Sequence, residues 1–331
     1  MKIIYYVTDL GLGHASRSVA IIREIMKNKN NVIIRSNDPL GFLKKSLPGV
    51  KIVKGQTDFM PVLSKKNELV FNEYGTLKNL KKWMKEIPDK KKFELGILKK
   101  EKPDLVISDM SFLPFIVTEN EKIKSILISN FVWNESLNIS KTLSNKIKNY
   151  YEKADKIFCL PFGTKMKFKH SECTEIVARQ PTVSKNKLRK ELGIKQNEKL
   201  VLLSLAGIKN FEIKKSPNVK IIDLSNYSII KKFSMNNLVE GQNLINAADL
   251  VICKCGYGFI SECLTNGTRF CYVLDKKHKE SYGIHLELIR NGINNRIFLR
   301  DLYKKTIDEK FILSYKKWKF PFYNKKLVGK F

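Results

Sequence analysis

The chain has 331 residues, of which 62 are Lys or Arg and 32 are Asp or Glu, so its formal net charge at pH 7 is +30. A hydrophobic content of 43% with 10% aromatic residues excludes a disordered chain. No apolar segment approaches the roughly 18 residues that a membrane-spanning helix needs. The charge favours anionic partners such as nucleotides and anionic lipids, but no nucleic-acid recognition motif accompanies it. The length indicates two domains of ordinary size.

The sequence predicts a cytoplasmic protein. Its N-terminus passes from an apolar run into a polar glycine loop and lacks the cleavage region of a signal peptide. Most of the six cysteines lie in apolar runs, which is typical of buried thiols rather than of a disulfide framework. Cys253 and Cys255 are spaced like a metal pair, but no CxxC or histidine partner follows, so we predict no metal site.

Apolar strands and amphipathic helices alternate through the first half. Strands are predicted at 3–7, 31–35, 50–53, 103–109, 125–130 and 156–160, and helices at 18–26, 77–100 and 140–153. This alternation predicts a parallel sheet covered by helices, in a first domain over residues 1–160. From 161 to 195 the periodicity is weak, and Pro161, Gly163 and Pro181 interrupt it, so we predict a linker there.

The second half repeats the pattern. Strands are predicted at 200–207, 219–223, 250–253 and 269–274, and helices at 241–248 and 259–266, which together form a second α/β domain over residues 196–302. Each half has glycines directly after a strand, and ligands of such proteins are expected in the cleft between two facing halves. Residues 303–331 form a basic tail in which aromatic residues are interleaved with lysines.

A glycine turn that contains a histidine follows the first strand. Gly11 and Gly13 let the backbone approach a ligand closely, and the following helix N-terminus offers N–H groups. His14 can exchange protons near neutral pH. The alternative is an ordinary strand-to-helix turn in which His14 only caps the helix.

An acidic residue ends another predicted strand of the same sheet. Because the carboxyl ends of parallel strands share one rim, Asp109 and His14 are expected to lie on the same rim. A carboxylate bonded to an imidazole fixes its tautomer and raises its basicity, which makes a proton-abstracting pair. The alternative is that Asp109 caps the next helix.

A second glycine turn, Gly256-Tyr257-Gly258, joins a strand to a helix in the second half. Backbone N–H groups of Gly258, Phe259 and Ile260 would hold a diphosphate there, and Glu262 lies one turn further on, where a carboxylate can accept hydrogen bonds from a ribose diol. The alternative is a tight turn with an acid favoured by the helix dipole.

Four segments together resemble the GT-B glycosyltransferases: residues 11–17, 108–109, 130–133 and 254–262. The chain is similar to the peptidoglycan N-acetylglucosaminyltransferase-type family and to the glycosyltransferase-like domain of plant arabinose kinases, over residues 1 to about 300.

This resemblance implies an α/β fold of two facing Rossmann-like domains with parallel sheets. It implies that His14 is the general base, with Asp109 as its partner, in an inverting transfer from a nucleotide sugar to a hydroxyl acceptor. A UDP-sugar and a lipid-linked acceptor are candidates, and neither a cofactor nor a metal is implied. The acceptor-side residues would be Gly11, Gly13, Arg17, Asn130 and Trp133. The donor-binding residues would be Gly207, Gly256, Tyr257, Gly258, Phe259 and Glu262.

Two departures from the family pattern concern the donor side. The glycine-rich loop after the first strand of the second domain is reduced to Ala206-Gly207. The stretch that reads the sugar in relatives has serine and isoleucine at the matching places, within residues 280–285. The resemblance therefore does not indicate which donor sugar this chain recognises. A catalytically weak binding module and a nucleotide-sugar epimerase stay open as alternatives.

The basic tail has two interpretations. Packing onto the first domain is the default, because the terminal segment of this fold commonly crosses back to it. The alternative is contact with the inner face of an anionic membrane or with nucleic acid, because lysines beside aromatic residues suit headgroup interfaces.

Overall fold

The computed structural model describes residues 1–38, 41–64, 71–205, 213–224 and 240–331. The described residues form two compact units. The first unit comprises Met1–Ser64, Phe71–Val177 and Tyr323–Phe331, and the second comprises Ala178–Phe322.

In the part of the chain that the structure describes, the first unit is built on a seven-stranded parallel sheet. Its strands are β1 (Lys2–Tyr6), β2 (Asn31–Arg35), β3 (Lys51–Val53), β4 (Leu105–Ser108), β5 (Lys124–Ser129), β6 (Lys156–Cys159) and β7 (Ser171–Cys173). They lie in the order β3-β2-β1-β4-β5-β6-β7, and every neighbouring pair is parallel. The order reverses between β1 and β4, and such a switch point is where open α/β sheets bind ligands.

Helices cover this sheet. They are α1 (Gly11–Lys27), α2 (Phe42–Ser46), α3 (Glu73–Glu101), α4 (Leu113–Thr118), α5 (Trp133–Ser136) and α6 (Lys141–Tyr151). The long helix α3 buries Leu80, Trp83 and Ile87, which recur at helical spacing and face the core. The side chain of Asn72 caps its N-terminus by accepting a hydrogen bond from the Gly75 N–H at 2.8 Å.

The second unit has a four-stranded parallel sheet in the order β11-β10-β8-β9 among the described residues. The strands are β8 (Lys199–Ser204), β9 (Val219–Asp223), β10 (Leu250–Lys254) and β11 (Phe270–Val273). The helices are α7 (Lys185–Glu191), α8 (Gly241–Ala247), α9 (Tyr257–Asn266), α10 (Lys279–Arg290), α11 (Leu299–Lys304) and α12 (Glu309–Leu313). The switch point of this sheet lies between β8 and β10. Both parallel sheets confirm the α/β fold class.

The structure differs from the predicted linker over 161–195. Strand β7 lies inside it and extends the first sheet, while α7 begins at Lys185, where the Ser184 side chain caps it. The two units divide between Val177 and Ala178. A three-residue strand and a seven-residue helix are too short to produce a periodic pattern, so the sequence did not reveal them.

The tail over 303–331 is divided between the units. Residues up to Phe322 belong to the second unit, where Tyr315 packs edge-on against Phe311 with ring centroids 5.5 Å apart. Residues 323–331 belong to the first unit and include α13 (Asn324–Val328), which contacts α1. Tyr323 is buried, and its N–H donates to the Ile176 carbonyl at 3.0 Å. Within the described part of the chain, no helix combines the length and apolar character needed to span a membrane.

Candidate active site

The histidine turn lies at the switch point of the first sheet. Gly11 has φ +73°, a left-handed conformation that favours glycine, and it stands at the start of α1. A side chain on Gly11 or Gly13 would meet nothing within 4 Å, and both glycines are exposed. The two predicted acceptor-side glycines therefore leave open space over the helix start.

His14 and Asp109 are in contact, as the strand positions predicted. His14 Nδ1 lies 2.7 Å from Asp109 Oδ2, and the two side chains are 9% and 0% exposed. An ionised Asp109 can only accept, so Nδ1 carries a proton, and in the neutral imidazole the lone pair is therefore on Nε2. This tautomer has an unprotonated ring nitrogen to act as a base.

Arg17 joins this pair from the same helix, one turn after His14. Its Nε donates to Asp109 Oδ1 at 2.8 Å, and its Nη2 donates to the same oxygen. Nη1 donates to Asn130 Oδ1, and Nη2 lies 3.0 Å from His14 Nδ1. Arg17 and Asn130, both predicted on the acceptor side, are buried: Arg17 binds Asp109 and Asn130, and Asn130 accepts from Arg17.

The charge state of Asp109 follows from these contacts. Complete burial acts to raise the pKa of its carboxyl, but the charge of Arg17 and the hydrogen bonds from Arg17 and His14 outweigh burial and hold that pKa below its usual range. Asp109 is therefore ionised at neutral pH although no part of it is exposed.

Asn130 is held by a close backbone approach. Its Nδ2 donates to the Phe162 carbonyl at 3.1 Å, and its own carbonyl accepts from the Thr164 N–H at 3.0 Å. A Cβ on Gly163 would lie 1.7 Å from that carbonyl oxygen, which no side chain allows. Glycine is therefore required at 163.

An aromatic cluster and a buried acid adjoin His14. Phe131 packs edge-on against the imidazole at 5.5 Å and against Trp133 at 5.9 Å. Trp133, predicted on the acceptor side, is fully buried, and its Nε1 donates to Asp58 Oδ2 at 2.8 Å. Burial raises the pKa of Asp58 to about 8. Sequence reasoning missed Asp58, which lies in a loop after β3 with no motif around it.

In the second unit, the predicted diphosphate turn lies at the end of β10. Gly256 is the extended N-cap residue of α9, and no side chain caps this helix start. Tyr257 is buried, Gly258 and Phe259 are half-buried, and Lys254 at the end of the strand is exposed. Gly207, the remaining predicted donor residue, lies outside the described residues.

Glu262, predicted to bind a ribose, pairs with an arginine that the sequence did not indicate. Arg179 Nε donates to Glu262 Oε1 at 2.7 Å and Nη2 donates to Oε2 at 3.2 Å, and both side chains are 4% exposed. The pair joins α9 to the start of the second unit. A spacing of 83 residues gave no sequence signal for it.

Cys253 and Cys255, which are spaced like a metal pair, are both buried free thiols. Burial raises the pKa of both thiols far above the usual range. Across the residues that the structure describes, no group of three or more His, Cys, Asp or Glu side chains could hold a metal ion.

Comparisons with known proteins agree with this fold. Residues 1–161 match the family model described as glycosyl transferase family 1. UGT89C1 of Arabidopsis thaliana superposes with a TM-score of 0.58 at 10% identity, over 95% of this chain and 88% of its own. The glycosyltransferase SsfS6 of Streptomyces sp. SF2575, in complex with thymidine diphosphate, superposes with a TM-score of 0.58 at 11% identity over all of both chains. The fold is that of the GT-B glycosyltransferases.

A relative in sequence is the L-arabinokinase of Arabidopsis thaliana. The chain is 24% identical to it over 292 residues, which is 81% of this chain but 28% of that protein. The resemblance to plant arabinose kinases is thereby confirmed. The chain thus spans about a quarter of this relative's length.

Proposed function

We propose that this protein is a glycosyltransferase that moves a sugar from a nucleotide-sugar donor to a hydroxyl acceptor, with inversion at the anomeric carbon. The observation that carries the proposal is the 2.7 Å contact between His14 and Asp109 at the switch point of the first sheet. It lies inside the segment that matches glycosyl transferase family 1.

In the proposed reaction, His14 acts as the general base. Nε2 takes the proton of the acceptor hydroxyl, and the oxygen forms a bond to the anomeric carbon of the donor. The bond from that carbon to the diphosphate oxygen breaks, and the electron pair leaves with the nucleoside diphosphate. Asp109 accepts a hydrogen bond from Nδ1–H of His14 and stabilises the imidazolium that forms.

The donor is assigned to the second unit, at the start of α9. The first N–H groups of a helix have no intrahelical partner, and the helix dipole favours an anion there. Both would stabilise the departing diphosphate, so the proposed mechanism includes no metal. SsfS6 binds thymidine diphosphate, so TDP-sugars are candidate donors beside UDP-sugars.

A lipid-linked acceptor at the inner face of an anionic membrane is the acceptor that we propose. Positive charge supports this proposal, because it favours binding to an anionic membrane. The chain carries a net charge of +30, and four lysines are exposed on α3: Lys78, Lys81, Lys82 and Lys85. Tyr74, at the start of that helix, is 81% exposed. Liposome sedimentation tests this, with stronger recovery expected on anionic than on neutral vesicles. Equal recovery would contradict it.

The test of the activity is a screen of UDP- and TDP-sugars for binding and for release of nucleoside diphosphate. His14→Ala is expected to keep donor affinity and to lose turnover by about 10²–10⁴-fold. Glu262→Ala is expected to weaken donor binding, and its thermal unfolding without ligand separates that loss from the loss of the ion pair with Arg179. His170→Ala is the matched control, since His170 is exposed in the same unit, and it should behave as wild type.

The alternatives give different results in the same screen. A catalytically weak binding module would bind a nucleotide sugar without releasing the diphosphate. An epimerase would convert the nucleotide sugar into its isomer with the diphosphate bond intact. If no nucleotide sugar binds, or if His14→Ala turns over like wild type, the glycosyltransferase proposal fails.

A further inference from the structure

The buried guanidinium of Arg17 sets the charge of the cluster around His14. Arg17 is 3% exposed and Asp109 is 0% exposed, so water screens neither charge. Arg17 donates twice to Oδ1 of Asp109, which leaves Oδ2 to accept from His14. The cluster of His14, Asp109 and Arg17 is therefore neutral when the imidazole is neutral.

Other ionisable groups around the cluster come from several elements. Tyr5 on β1 and Tyr151 on α6 interact with Asp109, and burial raises the pKa of both beyond the assay range, so both stay neutral. Asp58 also interacts electrostatically with Asp109, and burial raises the pKa of Asp58 to about 8. α13, which contacts α1, carries Lys325 and Lys326, and both are exposed to solvent. Among the described residues, Arg17 is thus the buried cation that binds Asp109.

We propose that Arg17 is a positioning residue that keeps His14 unprotonated and ready to act as a base at neutral pH. This inference rests on the proposed function. Without Arg17, a buried Asp109 anion would face His14 alone, and the pair would become neutral by taking a proton on the imidazole. An imidazolium cannot accept the proton of the acceptor hydroxyl. Arg17 supplies the compensating charge instead, and its Nη2, 3.0 Å from Nδ1, opposes the imidazolium.

The proposal predicts a specific pattern among variants. Arg17→Met removes the charge, so the midpoint of the His14 titration is expected to rise by about one pH unit or more. Arg17→Lys retains the positive charge but not the planar guanidinium with its several donors. The midpoint of the His14 titration in this variant should therefore stay within about half a pH unit of the wild-type value. Arg23→Met is the matched control, because Arg23 lies on α1 but binds the Ser46 carbonyl.

The direct readout is ¹⁵N NMR of protein labelled at its four histidines, which reports protonation and tautomer without any substrate. The imidazolium fraction of His14 at pH 7 is expected to be larger in Arg17→Met than in wild type, and the neutral form of wild-type His14 is expected as the Nδ1–H tautomer. Asn130→Asp is a second, isosteric variant: its carboxylate competes for Nη1 of Arg17, so its His14 midpoint should also rise.

The kinetic readout is the pH profile of diphosphate release. Turnover by Arg17→Met should fall several-fold at pH 7, because the unprotonated fraction of His14 falls by at most a factor of ten for each unit by which the midpoint rises, and it should recover towards wild type near pH 9. A loss that is equal at every pH, or a His14 midpoint that moves in neither Arg17→Met nor Asn130→Asp, overturns the proposal. If wild type turns over no nucleotide sugar, the proposed function fails, and the NMR titration still decides the role of Arg17.

Discussion

The pair of Arg179 and Glu262 offers the sharpest test of the second unit. Two hydrogen bonds of 2.7 and 3.2 Å join the side chains, and each is 4% exposed. Arg179→Met would leave the Glu262 carboxylate buried without its guanidinium. Glu262→Gln would leave the guanidinium facing a neutral amide.

The expected cost follows from the burial. Breaking a buried ion pair by removing one partner costs about 3–5 kcal/mol, because the other charge stays desolvated. Replacing both partners by apolar side chains is often near neutral, so Arg179→Met with Glu262→Leu should recover at least half of the loss. The control is Lys185→Met, whose partner is Asp249 and whose side chain is 40% exposed. That substitution should cost less than about 1 kcal/mol.

The assay is hydrogen exchange at increasing urea concentration, read by mass spectrometry on peptides from residues 178–322, which reports the free energy of unfolding of the second unit alone. If both single variants lower the free energy of unfolding by less than about 1 kcal/mol, the reasoning is refuted, because breaking an exposed ion pair has an effect of that size. A double variant less stable than either single would refute it as well.

Three further predictions concern the first unit. Gly163→Ala should destabilise it by about 3 kcal/mol or more, because its Cβ would overlap the Asn130 carbonyl oxygen; thermal unfolding tests this, and an unchanged midpoint contradicts it. The carboxyl pKa of Asp58 rises from 3.8 in the unfolded chain to about 8 in the folded one, so the unfolded state binds fewer protons between these values. The free energy of unfolding should therefore fall as pH rises from 4 to 8, and Asp58→Asn should flatten this slope; equal slopes would show that Asp58 does not titrate there. Ser140→Ala should cost about 1 kcal/mol through loss of the α6 cap, with Ser171→Ala, on an exposed strand residue, as the control.

Much of the fold was predictable because each strand is a short apolar run. The predicted strands at 31–35 and 219–223 coincide with β2 and β9. The order of strands was not predictable, since pairing depends on crossovers that a local pattern does not specify. Strand β7 was missed because its three residues, Ser171–Cys173, are mostly polar and form an edge.

The site was predictable only for residues whose positions at the ends of parallel strands imply that they lie close together. His14 and Asp109 each follow a parallel strand, and that rule alone brings them to one rim. Arg17 lies three residues after His14, so both are on the same face of α1. That spacing does not show whether the Arg17 side chain binds a ligand or, as in the structure, the buried carboxylate of Asp109. Partners that are far apart in sequence, such as Trp133 and Asp58, carry no local signal at all.

The return of residues 323–331 to the first unit has a consequence for dissecting this chain into fragments. A fragment that stops at Val177 would lack α13, which contacts α1, the helix that carries His14 and Arg17. It would also lack Phe331, whose ring lies 6.0 Å from that of Phe158 in the sheet. The unit is therefore not a contiguous module. Expressing it alone calls for a fusion in which residues 323–331 are joined to residue 177 by a flexible linker.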